Sequence, residues 1–330
     1  MNMQAFSWLL RREYWENRGG FWLAPLITSA IMFGLIVLSL ITLEIFKSGM
    51  SANINIGGGS VTGLIEALKQ ENPEALPAVL NGFLAGFSQL LQIVLFFVLF
   101  FYLLGALYDE RKDRSILFWK SLPISDTSTV LSKVASALLV APVLVFVITI
   151  LSHVAFLAML SLYAMVYGVS PLTYIWGPAS PMVLWLDQLI IIPVQMLWAL
   201  PAVGWLLLCS CWARSKPFLW AVLIPVALGV FNGFFSLWGL AHVPIGWYWS
   251  EIAGRALLSL SPLSWLSQMN IAERLEQLEA QIEAQRNITM VSDITDHVQI
   301  LGSLTTWIGA AIGCILIGAA IYLRRWRDES

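Results

Sequence analysis

Ionisable side chains are scarce in this chain, and their densest cluster is the unbroken run Asp109, Glu110, Arg111, Lys112, Asp113 and Arg114. The residues that follow supply an apolar face, Ile116, Leu117 and Trp119, closed by Pro123. A short helix of that kind can press into a groove on a partner; a solvated loop is the plainer reading of the same composition. Asp126 is placed to cap the helix that comes next, leaving Lys133 near the membrane surface.

Catalytic constellations are missing from the sequence. His153, His242 and His297 have no ligand spacing with carboxylates or thiols, so no metal site is expected. Cys209, Cys211 and Cys314 sit in or beside apolar runs and read as small buried hydrophobes. No Gly-x-x-x-x-Gly-Lys-Ser/Thr occurs, so the chain does not hydrolyse ATP by that machinery. No catalytic residue and no cofactor of the chain's own is expected.

Hydropathy sets the elements that must carry the charged cluster. With 58% of its 330 residues apolar, 12% charged and a mean hydropathy of +0.78, the chain is no water-soluble enzyme. Its net charge of −2 excludes a strongly basic nucleic-acid binder. Crossing a bilayer takes roughly 20 helical residues, and six uncharged runs reach about that length: Phe21–Thr42, Gln89–Tyr108, Val134–Tyr163, Gln188–Cys211, Phe218–Leu240 and Leu301–Leu323. The first is too long for a signal-peptide core and reads as a retained span. The fold class is therefore an all-α polytopic membrane protein with both termini on one side. That side collects thirteen Lys and Arg, from Arg11 to Arg327, against five on the other: Lys47, Lys69, Arg255, Arg274 and Arg286. Positive residues near spans resist translocation, so both termini are expected in the cytoplasm.

The chain reads as one membrane domain, 1–330, with four segments outside the lipid. Residues 1–20 are expected to form an interfacial elbow helix whose Met3, Phe6, Leu10 and Tyr14 share a stripe, with Arg11, Arg12 and Glu16 elsewhere and Gly19–Gly20 permitting a sharp turn into the first span. Residues 47–81 are external, with a Gly57–Ser60 stretch and a short helix at 61–70. Residues 109–133 form the cytoplasmic loop. Residues 241–300 are external and helical: Trp247, Tyr248 and Trp249 suit the interface, 252–260 suits a partly immersed helix, and Ile271, Leu275, Leu278 and Ile282 recur at spacings of four, three and four.

Within the spans, Gln89, Gln92, Gln195 and Asn232 either line a pathway or bond between helices. His153 is read as a hydrogen-bonding residue between helices. Pro142, Pro193, Pro201 and Pro225 are placed to kink their helices. Gly309-x-x-x-Gly313 permits close approach of another helix, within the chain or from a second copy.

The order of residues in the cytoplasmic loop adds a resemblance. Glu110-Arg111-Lys112, then Leu117, Ser121-Leu122-Pro123-Ile124-Ser125 and Val130-Leu131-Ser132-Lys133, resembles the loop of type 2 ATP-binding-cassette exporter permeases. In that family an acidic-basic pair precedes a Gly-Thr, a leucine-rich turn, a Leu-Pro and a Lys that opens the next helix; here Arg114-Ser115 stands in place of Gly-Thr. The resemblance implies a permease subunit in the inner membrane of a bacterium, paired with a same or related second subunit. It also implies two cytoplasmic ATPase subunits that hold the ATP and Mg. Glu110, Arg111, Lys112, Asp113, Leu117, Trp119 and Pro123 would couple it to those ATPases, with the elbow residues Phe6, Leu10, Arg11, Arg12 and Tyr14 beside them. An ATP-independent secondary carrier, an integral-membrane enzyme or an anchor for an external complex are the other classes the composition admits.

Overall fold

The computed structural model describes residues 3–50, 75–261, 264 and 300–326. Among them every regular element is helical, and six helical stretches are long and apolar enough to cross a membrane: Gly19–Thr42, Leu76–Lys112, Asp126–Val166, Pro181–Trp212, Pro217–Leu237 and Leu304–Trp326. The sequence runs fall on these six. The short helix read at 61–70 and the amphipathic stripe at 271–286 lie outside the described residues.

Helix α1 (Met3–Glu16) leads through a π-helical turn, Gly19–Leu23, into α2 (Ala24–Met50). The sharp turn expected at Gly19–Gly20 is replaced by this wide turn, in which neither glycine has positive φ. Gly20 is needed for proximity instead, since a Cβ there would meet Val98 Cγ1 at 3.0 Å. Phe21, fully buried, lies edge-on to Tyr102 with ring centroids 5.0 Å apart.

The second span is α3 (Ala75–Ala106), broken at Leu107 before the short α4 (Tyr108–Lys112). It begins well before the apolar run, and in that added stretch Asn81 Oδ1 accepts from the Ser180 N–H at 2.9 Å. After α5 (Ser115–Ser121), the third span runs without a break as α6 (Asp126–Ala135), a π-helical turn Ser136–Val140, and α7 (Ala141–Val166). The wide turn precedes Pro142, whose ring presses on the carbonyl four residues back. Helices α8 (Pro181–Trp212) and α9 (Pro217–Leu237) follow, then a π-helical segment Tyr248–Gly254 with α10 (Arg255–Leu258), and finally α11 (Leu304–Trp326).

Leu91, Leu95, Leu99 and Leu103 form the buried stripe of α3, facing Ala202, Val203, Leu206 and Leu207 of α8 and Val145 and Ile148 of α7. Lipid tails are as apolar as leucine, so these contacts gain stability by close packing more than by escape from water. The tightest contact is between α8 and α11. A Cβ on Gly313 would collide with the Leu200 backbone, and one on Gly204 would lie 2.6 Å from Gly313 O. The small residues of Gly309-x-x-x-Gly313 thus serve packing within the chain.

Two buried arginines mark the ends of α11. Arg255 Nη1 donates to Thr305 O at 2.7 Å, beside Trp198, whose ring centroid is 4.2 Å away, and Gly309 leaves room for the guanidinium. Burial lowers the Arg255 pKa from its ordinary value, against the pull of Glu251. Arg324 lies nineteen positions beyond Thr305, about 28 Å along the axis at a helical rise of about 1.5 Å per residue.

Candidate functional site

At the end of the bundle shared by α1 and the last turn of α11, five elements meet in one buried ion network. The Glu110 carboxylate is at its centre, 6% exposed. Its Oε1 accepts from Lys133 Nζ at 3.0 Å and Arg12 Nη2 at 3.1 Å; its Oε2 accepts from Arg324 Nη1 at 2.6 Å. Lys133 Nζ also donates to Glu13 Oε1 at 2.8 Å, and the Tyr102 hydroxyl donates to Glu13 Oε2 at 2.8 Å. Arg324 Nε reaches Asp126 Oδ1 at 3.1 Å. Arg12 Nε also donates to Glu16 Oε1 at 2.7 Å, so the three cations Arg12, Lys133 and Arg324 each hold one carboxylate besides Glu110: Glu16, Glu13 and Asp126. Pairing of this kind is what lets charges remain buried, because an unpartnered one costs several kcal/mol.

The groups arrive from five elements, with Arg12 and Glu13 together on α1 and Asp126 and Lys133 together on α6. Glu13 is on the inward face of α1 with Leu9, and Arg12 lies beside it with its guanidinium carbon 3.6 Å from the Trp119 ring centroid. Burial pulls the Arg12 pKa down, but the hydrogen bond and charge of Glu16 and the charges of Glu110 and Glu13 outweigh it and leave it raised. Lys133 enters from α6 and Arg324 from α11. Asp126, expected as the cap of the third span, is not the cap. Ser125 caps α6 by accepting from Ser128 N at 3.2 Å, and Asp126 is drawn to Arg324.

A second anchor holds the same segment to α8. Ser210 Oγ, fully buried, accepts from the Leu107 and Tyr108 N–H groups at 3.0 Å each, satisfying donors freed where α3 breaks. Arg111 Nη2 donates to Ser210 O and Ala213 O, both at 2.8 Å, a cation on the carbonyl end of a helix.

The apolar face read from Ile116, Leu117 and Trp119 is divided by the fold. Ile116 is buried and Trp119 is half-buried under Arg12, whereas Leu117 and Phe118 point outward at 56% and 60% exposure. Lys112, Asp113, Arg114 and Pro123 are exposed as well. Arg114 sits at φ 57°, ψ 11°, a left-handed conformation that glycine adopts most readily.

Other sequence candidates lie apart from this site. On α1, Phe6, Leu10 and Tyr14 are half-buried and Arg11 is exposed, while Met3 is 85% exposed: the inward face is centred on Leu9 and Glu13, rotated from the apolar stripe. Asn232 is used up by a reciprocal pair with Val243, its Nδ2 donating to the carbonyl and its Oδ1 accepting from the N–H, both at 2.9 Å. Gln195 donates to Ser259 O at 2.8 Å. Gln89 and Gln92 are half-buried on α3, and Gln89 Oε1 has no partner.

His153 joins three helices. Indole N–H only donates, so His153 Nδ1 accepts from Trp185 Nε1 at 3.0 Å, leaving Nε2–H to donate to Ser88 Oγ at 3.2 Å. Ser88 in turn donates to Leu84 O. Among the described residues no group of three His, Cys, Asp or Glu is arranged to hold a metal ion.

Glu13, Tyr102 and Ser210 are not among the candidates the sequence offers, while Lys133 enters there as the lysine that opens the third span and Arg324 as a topological charge. The available signal was a carboxylate four residues from Leu9 on one helix face, and a lysine inside Val130-Leu131-Ser132-Lys133-Val134. No family model, curated protein or solved structure matches the chain.

Proposed function

We propose that this chain is the permease subunit of an ATP-driven exporter. In this reading it lies in a bacterial cytoplasmic membrane with both ends inside, and works with a second permease subunit and two cytoplasmic ATPase subunits that bring the ATP and Mg. The observation that carries the proposal is the two-sidedness of residues 109–124. Their outer side presents Leu117 and Phe118, while their inner side is tied through Glu110 and Arg111 to α1, α6, α8 and α11. A force on the outer side therefore reaches four elements at once. The contact with an ATPase belongs to Leu117, Phe118, Lys112, Asp113 and Pro123; Glu110, Arg111 and Trp119 transmit rather than touch. The left-handed Arg114 supports the resemblance, since it places glycine-like backbone where the family carries Gly. Biasing two states requires a contact that differs between them, and an exposed face is free to make one.

Co-purification in mild detergent tests the reading. The native chain is expected to hold an ATPase, L117D/F118D to lose it by tenfold or more, and E110Q to retain it with transport uncoupled from hydrolysis. If no ATPase is held under conditions that preserve the complex, and flux follows a pH gradient, the chain is a carrier and the proposal falls.

A further inference from the structure

At the end of α11 opposite the ion network, four buried side-chain atoms without a hydrogen-bond partner fall on three neighbouring residues: Arg255 Nε and Nη2, Ser259 Oγ and Gln195 Oε1. We propose that they bind the carboxylate of an amphipathic ligand that carries an N–H donor beside that group. This rests on the side chains themselves and not on an ATPase partner. Arg255 is 7% exposed, with Nη1 turned to Thr305 O and to Glu251 Oε2, the latter 3.6 Å away and longer than a hydrogen bond. Its Nε and Nη2 hydrogens form the other edge of the guanidinium, a fork that matches two oxygens of one oxyanion. Ser259, fully buried, follows one turn later, and its hydroxyl supplies a third donor.

The surroundings narrow the ligand. Gln195 Nε2 donates to Ser259 O at 2.8 Å, which fixes the remaining amide oxygen as an acceptor, suited to an N–H of the same ligand. One guanidinium with Glu251 nearby suits a single negative charge, whereas a phosphate monoester brings up to about two. Trp198 lies one turn along α8 from Gln195, its ring centroid 4.2 Å from the guanidinium carbon. It belongs to an apolar cluster with Val194 and Ile300, edged by Ile191 and Leu301, against which an acyl chain can pack. Gln195 is half-buried, which leaves the group an open side. Apolar walls around a few convergent polar groups are how ligands of this kind are held.

The test is saturable binding of N-dodecanoylglycine to the full chain in mild detergent, beside N-dodecanoylglycinamide, which keeps the acyl chain and the N–H and lacks the charge. The acid is expected to bind at least about tenfold more tightly than the amide, the worth of one charge-assisted hydrogen bond or more. Dodecyl phosphate should bind more weakly than the acid. S259A, which removes one oxygen, should weaken the acid about tenfold, and R255K, which keeps the charge without the fork, by at least that factor. Melting temperatures separate loss of the site from loss of the fold, and the comparison of acid with amide uses the native chain, so it stands where a variant does not fold. No saturable binding of the acid, equal binding of the amide, tighter binding of dodecyl phosphate, or a folded S259A that binds as the native chain does would each overturn the proposal.

Discussion

Arg324 and Glu110 are 214 residues apart in the chain and 2.6 Å apart in space, and with Arg12 on the other oxygen the first and last helices close onto one carboxylate. The two side chains are 2% and 7% exposed. Their mutual attraction is thus shielded from the solvent screening that makes surface pairs weak.

Glu110→Gln removes the one carboxylate that Arg12, Lys133 and Arg324 share and leaves each with a single partner, Glu16, Glu13 and Asp126. Unfolding free energy in detergent is expected to fall by about 3–5 kcal/mol. The Glu13–Lys133 pair is expected to be coupled: E13Q/K133M should cost at least about 1 kcal/mol less than the sum of the single changes. Thermal or denaturant unfolding of the four proteins reads this directly, and simple additivity would mean that the pair carries no energy of its own.

Arg114 is left-handed, and the penalty for a Cβ in that conformation is about 1 kcal/mol. R114G should therefore be more stable than R114A by about that amount. Both variants lack the guanidinium, so a melting-temperature comparison isolates the backbone.

The glycines of α8 and α11 separate by position. G204A and G313A force the helices apart and should cost about 1–3 kcal/mol. G34A, where a Cβ meets nothing within 4 Å, should be neutral or slightly stabilising because alanine is the better helix former. Monodispersity and melting temperature of the three variants distinguish packing from propensity.

His153 is expected to be the Nε2–H tautomer. Ring-labelled chain should show one proton, on Nε2, in long-range nitrogen–proton correlation spectra. His153→Phe removes the acceptor of Trp185 and the donor to Ser88 and should destabilise by about 1–3 kcal/mol. A proton found on Nδ1 would contradict the Trp185 hydrogen bond.

The spans were legible because a membrane imposes one rule on them, twenty or so apolar residues in succession, and Phe21–Thr42 or Gln188–Cys211 obey it locally. The ion network was not, because its partners are set by tertiary contact. Periodicity scores apolar residues, so it groups Met3, Phe6, Leu10 and Tyr14 as the stripe of an interfacial α1 and passes over Glu13, whose partner Lys133 is 120 residues away. The loop was found by its charge density, yet charge density does not tell Glu110, which is buried, from Asp113, which is not. Gly309 and Gly313 were recognised as a contact surface; only the fold names α8 as what they touch.

The two arginines at the ends of α11 turn that helix into a gauge. Thr305 and Arg324 are about 28 Å apart by helical rise, close to the roughly 30 Å of a hydrocarbon core. Neither end can slide without unseating a buried guanidinium, and Gly204 and Gly313 tie α8 to the same register. A bilayer thicker or thinner than this span is therefore met by tilting α8 and α11 together, so that hydrophobic mismatch is felt at the ion network as a change in angle rather than in length.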